Sequence, residues 1–342
     1  MLPADEKKIR VLIVDDSEFI RTVLREALET APYIEIVGEA DNGRDGIRQA
    51  FKLKPDVITM DLKMPIMDGF DAIGKIMEDN PIPIIVVSTL DEEIITKALS
   101  MGAMDFVHKA RDMQTIAEDL TDKIRIASRI KPITRFKRVH THRQPRDKAV
   151  ANEPVQPGSK VIAIGVSTGG PQVTGTLIGL LPETLSTPIL VVQHISEGFV
   201  QGLVKWMQGV SKLSVSIPSD GEKIKPGNIY FAPDKYHMVV KRKGVIGFEK
   251  KISNDEFHVP SIDRLFLSVS EVYGKDAMGI IMTGMGTDGV AGISAMKLVG
   301  ATTIAQDEAS SVIFGMNKAA IEKGVIDKIL TPERIAEEIV RF

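Results

Sequence analysis

Apolar positions along the chain fall into two kinds of segment, and the two kinds alternate. Between residues 8 and 130, near-continuous Val/Ile/Leu runs occupy Lys8–Asp15, Ile34–Ala40, Asp56–Asp61, Ile82–Ser88 and Asp105–Lys109. Unbroken runs of this kind suit parallel strands covered on both faces. The intervening segments, Glu18–Glu29, Arg44–Lys52, Phe70–Glu78, Glu92–Ser100 and Met113–Ala127, carry their apolar residues on one helical face. Five successive βα units predict a doubly wound parallel sheet of order 2-1-3-4-5.

A second α/β pattern starts near residue 159. Its strand candidates are Lys160–Val166, Pro188–Gln193, Asn228–Ala232, Ala277–Thr283 and Thr302–Ala305. Helices are predicted over Gln172–Leu181, Gly198–Gln208, Ile262–Val272, Gly289–Leu298, Lys318–Lys323 and Pro332–Arg341, and a hairpin over Met238–Lys241 and Val245–Lys250, turning near Gly244. The stretch between the two patterns lacks apolar periodicity. It holds seven basic residues from Lys131 to Lys148 with one acid, Asp147, and Pro132, Pro145, Pro154 and Pro157 interrupt it. It reads as a linker, either a solvated tether or a docking strip. The expected organisation is a domain over 1–130, a linker over 131–157 and a second α/β domain over 158–342.

Composition narrows the function classes. The 342 residues fit about two domains, and Lys+Arg 43 against Asp+Glu 46 gives a net charge of −3. No global field draws such a chain to nucleic acid or anionic lipid. Cys is 0, which excludes disulfides, thiolate metal sites and a cysteine nucleophile. No stretch approaches the roughly 18 apolar residues of a membrane span, and the N-terminus lacks a signal-peptide core. The expectation is a cytoplasmic protein without direct membrane insertion.

Ligands of open parallel sheets bind beyond the carboxyl ends of the strands. In the first domain that edge carries Asp15 and Asp16 after strand one, Asp61 after strand three, Ser88 after strand four and Lys109 after strand five. Converging carboxylates repel unless neutralised, and a hard cation such as Mg²⁺ prefers carboxylate oxygens, a carbonyl and water. Lys109 adds fixed positive charge and Ser88 a hydroxyl, so the set suits phosphoryl transfer to Asp61. Taken singly, the acids could instead be helix caps and the lysine a solvated side chain.

These residues carry a resemblance. Val11-Leu-Ile-Val-Asp-Asp, Ile58-Thr-Met-Asp-Leu-Lys-Met-Pro-Ile-Met-Asp-Gly, Val86-Val-Ser and Asp105-Phe-Val-His-Lys resemble the flavodoxin-like receiver domain of two-component response regulators over about residues 8–128. The resemblance implies that Asp61 is the phospho-acceptor. It also implies that Asp16, Asp61 and the Lys63 carbonyl bind Mg²⁺, with Asp15 acting through water, and that Ser88 and Phe106 are switch residues beside Lys109. Ala110 departs from the family, which commonly has proline there.

In the second domain Gly165-Val-Ser-Thr-Gly fits G-x-S-x-G, a strand-to-helix turn that lifts a serine above a sheet. Pro171 suits the first helical turn, whose free N–H groups can bind an oxyanion. The rival reading is a phosphate-binding turn capped by Ser167. A serine nucleophile needs a base. Of six histidines, His140 and His142 lie in the linker, His108 in the first domain, and His237 and His258 beside the hairpin or a loop. His194 ends the next strand candidate after the serine's own. Asp288, after an apolar strand and a glycine-rich turn, can orient an imidazole, or else cap the helix from Gly289. Asp307 is the rival acid. The order Ser167, His194, Asp288 differs from that of α/β-hydrolases.

Ile164-Gly-Val-Ser-Thr-Gly-Gly-Pro, Val192-Gln-His-Ile, Tyr230-Phe-Ala-Pro, Val259-Pro-Ser-Ile-Asp and Thr283-Gly-Met-Gly-Thr-Asp-Gly are similar to the Rossmann-like catalytic domain of chemotaxis protein-glutamate methylesterases, over about residues 159–340. That family also carries an N-terminal receiver. The resemblance implies hydrolysis of γ-glutamyl methyl esters on methylated chemoreceptors with release of methanol, and deamidation of receptor glutamines. It implies Ser167 as nucleophile, His194 as base, Asp288 as orienting acid and the Met285 N–H as oxyanion donor, with Thr168 and His237 flanking, and no cofactor for the ester chemistry. A chemotaxis histidine kinase is the implied phosphodonor, and an unphosphorylated receiver is implied to shield the cleft. Two other readings remain: a binding module whose serine turn holds a phosphate, disfavoured because no lysine follows the glycines, and a DNA-binding regulator, disfavoured because residues 159–342 are long and strand-rich.

Overall fold

The computed structural model describes residues 7–89, 92–109, 113–129, 159–195, 197–251 and 258–342. The linker span and Ala110 lie outside the described residues. The chain divides into two compact units.

The first unit runs β1 (Ile9–Val14), α1 (Glu18–Glu29), β2 (Ile34–Ala40), α2 (Gly43–Leu53), β3 (Val57–Met60), α3 (Gly69–Asp79), β4 (Ile84–Ser88), α4 (Glu92–Ser100), β5 (Asp105–His108) and α5 (Met113–Ala127). The strands pair in parallel in the order β2-β1-β3-β4-β5, as the alternation of segments predicts. Local chemistry sets the helix starts: Ser17, Asn42 and Asp68 each accept a backbone N–H of the first turn. Val11, Leu12, Ile13, Val57, Ile58, Ile84, Ile85 and Val86 are fully buried, as a sheet covered on both faces requires.

The second unit runs β6 (Val161–Val166), α6 (Gly170–Leu180), β7 (Ile189–Gln193), α7 (Val200–Val210), β8 (Ser214–Ser216), β9 (Asn228–Phe231), β10 (His237–Arg242), β11 (Val245–Glu249), α8 (Ile262–Tyr273), β12 (Ala277–Ile281), α9 (Val290–Leu298), β13 (Thr302–Gln306), α10 (Met316–Glu322), β14 (Lys328–Leu330) and α11 (Pro332–Arg341). Seven strands form a parallel sheet in the order β14-β13-β12-β6-β7-β9-β8, and β10 with β11 forms an antiparallel hairpin. Side chains alternate across β6. Val161 and Ala163 enter a core with α8, α9, α10 and the hairpin, while Ile162, Ile164 and Val166 enter a second core with α6, α7 and α11. The edge strands β8 and β14 were not predicted, and α6 begins two residues before the predicted start. Among the described residues no helix is long and apolar enough to cross a membrane.

Candidate functional site

In the first unit the predicted acids converge. Carboxylate oxygens of Asp15, Asp16 and Asp61 all lie within 4.8 Å of one another. Lys109 Nζ sits 2.6 Å from Asp15 and 3.0 Å from Asp61. Burial pushes the Asp15 carboxyl above its usual range, against the pull of Lys109. Three carboxylates facing one ammonium leave excess negative charge, and the all-oxygen donor set fits a hard divalent cation. Ser88 ends β4 and Phe106 lies within β5, both buried, and the Lys123 ammonium lies 5.8 Å from the Phe106 ring centre. Lys63 follows Asp61 by two residues at the same sheet edge.

In the second unit the three central strands β12, β6 and β7 deliver the predicted triad to one rim. Ser167 follows β6, and its N–H donates to the Thr283 carbonyl at 3.0 Å. The turn needs glycine. Gly169 has φ +74°, and a Cβ there would lie 2.3 Å from Val312. Gly284 likewise lets the loop after β12 approach, since its Cβ would fall 2.6 Å from Ser167 Cβ. His194 follows β7, with its N–H bound to the Val166 carbonyl.

The side chains form a hydrogen-bonded series. Ser167 Oγ lies 3.3 Å from His194 Nδ1, and His194 Nε2 lies 2.9 Å from Asp288 Oδ2. A carboxylate at Nε2 keeps the imidazole proton on that nitrogen, which leaves the Nδ1 lone pair for the serine hydroxyl. The serine contact is long, as is common before substrate binds.

Asp288 does cap a helix, but not the predicted one. Gly289 precedes α9 as its N-cap, with no side-chain cap hydrogen bond. Asp288 instead accepts from the N–H groups of Ile262 (2.8 Å) and Asp263 (3.0 Å) at the start of α8, and from Ser261 Oγ at 2.9 Å. Burial would raise its pKa, yet the His194 hydrogen bond and charge and the two backbone donors hold it well below the usual carboxylate range. Asp307, the rival acid, bonds Ser310 in the loop after β13 and makes no contact with His194.

Other predicted neighbours separate in role. The Met285 side chain is 47% exposed, and its backbone N–H donates to no described residue, so it is available to a ligand. The Thr168 carbonyl accepts from Thr283 Oγ1 at 3.0 Å. His237 is buried, and its Nδ1 accepts the Ser261 N–H at 3.1 Å. It lines a cavity of about 440 Å³ beside Asp288, with His258, Arg264 and the 286–288 loop.

Two contacts went unpredicted. His258 stacks on His194 with ring centres 4.2 Å apart and planes 15° apart. Desolvation and the facing His194 push its imidazole below the usual value, with Asp288 opposing. Gln193 donates to the carbonyls of both Ser167 and His194. A histidine beside a loop and a glutamine inside a strand carry no distinguishing sequence signal.

Residues 162–339 match the CheB methylesterase family, and residues 11–121 match the response regulator receiver domain family. The chain is 38% identical to the protein-glutamate methylesterase/protein-glutamine glutaminase of Pyrococcus abyssi, over 99% of this chain and 95% of that protein. It is also 38% identical to the protein of the same description from Halalkalibacterium halodurans, over 98% of this chain and 99% of that one. The crystal structure of the Thermotoga maritima CheB methylesterase catalytic domain is similar to the second unit, with a TM-score of 0.51 at 36% identity, covering 53% of this chain and 97% of that one.

Proposed function

The chain belongs to the CheB methylesterase family and carries a response regulator receiver domain; from that premise we propose that it is a cytoplasmic enzyme hydrolysing γ-glutamyl methyl esters of chemoreceptors. The hydrogen-bonded series Ser167, His194, Asp288 at one sheet rim is the observation that carries the reading.

Ser167 Oγ attacks the ester carbonyl as His194 Nδ1 takes its proton. The Met285 N–H donates to the oxyanion, where a fixed donor is worth most. His194 then passes the proton to the departing methoxide, which leaves as methanol. Water attacks the acyl-enzyme with the same base, restoring Ser167 and leaving a glutamate carboxylate. Asp288 stays ionised and stabilises the imidazolium. The same cycle with a glutamine side chain releases ammonia. No step of it calls on a cofactor.

The receiver supplies control. Asp61 accepts a phosphoryl group from a chemotaxis histidine kinase. Asp16, Asp61 and the Lys63 carbonyl would hold Mg²⁺, with Asp15 through water, and the ion when bound would offset charge on the transferring group. Lys109 neutralises a phosphoryl oxygen, and Ser88 and Phe106 respond to it. Phosphorylation relieves shielding of the esterase cleft.

The test is methanol release from methylated chemoreceptor, with and without acetyl phosphate, for wild type, Ser167→Ala and Asp61→Asn. Ser167→Ala should lose release and keep its fold. Asp61→Asn should keep basal release and lose the response to acetyl phosphate. Near wild-type release by Ser167→Ala would sink the reading.

A further inference from the structure

Gln193 ends β7 and is 4% exposed. Its side-chain nitrogen has two hydrogens, and each is committed to a backbone carbonyl of the site. Nε2 donates to Ser167 O at 2.8 Å and to His194 O at 2.9 Å. The amide orientation follows from these partners, because the flipped form would set Oε1 against two carbonyl oxygens. Oε1 itself has no hydrogen-bond partner among the described residues. It lies against Gly170, where an added Cβ would come within 2.2 Å of it.

Leaving a buried amide oxygen unmatched costs stability that an apolar residue of the same shape would not forfeit. That cost holds together two peptide units, one carrying the serine and the other the histidine. The Ser167 carbonyl also accepts the Gly170 N–H at 2.9 Å, so the clamp acts on the turn that aims Oγ. Without it, strand pairing still holds Val166 to the β7 end, through the His194 N–H. Nothing else described holds the His194 carbonyl.

We propose that Gln193 is a positioning residue for the ester chemistry, a clamp whose two hydrogen bonds set the Ser167 hydroxyl against the His194 ring. The proposal rests on the triad reading given above. It touches no substrate group, so it predicts a loss in kcat with KM little changed.

The experiment uses the full chain, with methanol release from methylated chemoreceptor measured across pH and thermal melts run in parallel. Gln193→Met removes both donors at nearly constant volume. Its kcat should fall roughly tenfold to a hundredfold, the scale of a misaligned reacting pair, with KM within about twofold of wild type. Gln193→Glu keeps the shape. A carboxyl facing two carbonyls holds its proton to unusually high pH and so donates one of the two bonds. Its rate relative to wild type should exceed that of Gln193→Met at about pH 6.5 and fall toward it by about pH 9. Gly170→Ala, whose Cβ displaces the amide, should lower kcat in the same sense. Should the Met variant fail to fold, the Glu and Ala variants decide.

If Ser167→Ala is inactive while Gln193→Met keeps wild-type kcat, the clamp is overturned and the triad stands. A pH-independent ratio for Gln193→Glu also overturns it, since a role in stability alone would move the melt and leave that ratio flat. If Ser167→Ala retains turnover, the triad reading itself fails, and the clamp with it.

Discussion

Replacing Asp288 by asparagine separates its two duties. Oδ1 accepts from Ser261 Oγ and the Asp263 N–H, and Oδ2 from His194 Nε2 and the Ile262 N–H. An asparagine has one oxygen and one NH₂, so in either orientation the NH₂ meets a backbone N–H. If it replaces Oδ1, the Asp263 N–H loses its acceptor. If it replaces Oδ2, the Ile262 N–H does, and His194 must turn its lone pair to Nε2, leaving a proton on Nδ1 facing the serine. One unmatched buried donor costs about 1–3 kcal/mol, and losing a full charge at the α8 N-terminus about 0.3–1 kcal/mol more. A total near 2–3 kcal/mol lowers the melting temperature of the second unit by roughly 4–12 °C.

The chemical cost is larger. The imidazolium loses its counter-charge, and in the second orientation the base is lost, a fall in kcat on the order of 10³–10⁴-fold. Methanol release and a melt on the same sample give both numbers. Linkage adds a signature. The native carboxyl is held well below its unfolded value near 3.9, so its stabilisation is complete above about pH 4 and is lost as pH falls through the native value. The stability gap between wild type and Asp288→Asn should therefore shrink on acidification below about pH 4. A variant with the melting loss and a kcat within about tenfold of wild type would show that Asp288 only caps α8.

Four more outcomes are expected. Asp15→Asn removes one of three crowded carboxylates, so by tryptophan-independent melting the receiver should gain about 1 kcal/mol while Mg²⁺ affinity, read by calorimetry, falls; an unchanged affinity refutes the assigned cluster. His258→Ala uncovers one face of the His194 ring, and a stacked pair worth about 0.5–1.5 kcal/mol predicts a two- to tenfold drop in kcat/KM that His258→Phe avoids. Because the folded His258 resists protonation, wild type should lose stability as pH falls through about 6.5 and the Phe variant should lose less; equal pH dependence refutes it. Residues 150–342 alone should outpace the unphosphorylated full chain in methanol release, and equal or slower release counts against shielding.

Much of the fold was legible because parallel strands covered on both faces must be apolar throughout, and the runs ending at Asp61 and Ser88 admit little else. β8 (Ser214–Ser216) and β14 (Lys328–Leu330) escaped because three-residue edge strands with polar or exposed side chains lack that signal. The α6 start slipped because the two glycines Gly169 and Gly170 look like a turn, while Pro171 already suits a first helical turn. Ser167 and His194 stood out because each directly follows a central strand, and Asp288 because it closes the glycine-rich turn after β12. The helix that Asp288 caps could not, since the N-terminus of α8 lies more than twenty residues away in sequence and meets it only through tertiary packing. Which imidazole nitrogen faces the serine depends on side-chain torsions and leaves no trace in residue order.

The opposite rim of the seven-stranded sheet has a practical use. The segment joining α6 to β7 crosses that far side, and Thr184 within it is exposed. Because the natural chain has no thiol, Thr184→Cys would create a single handle for a maleimide dye. Binding of a receptor fragment could then be followed optically from behind, without placing the fluorophore in the path of incoming substrate.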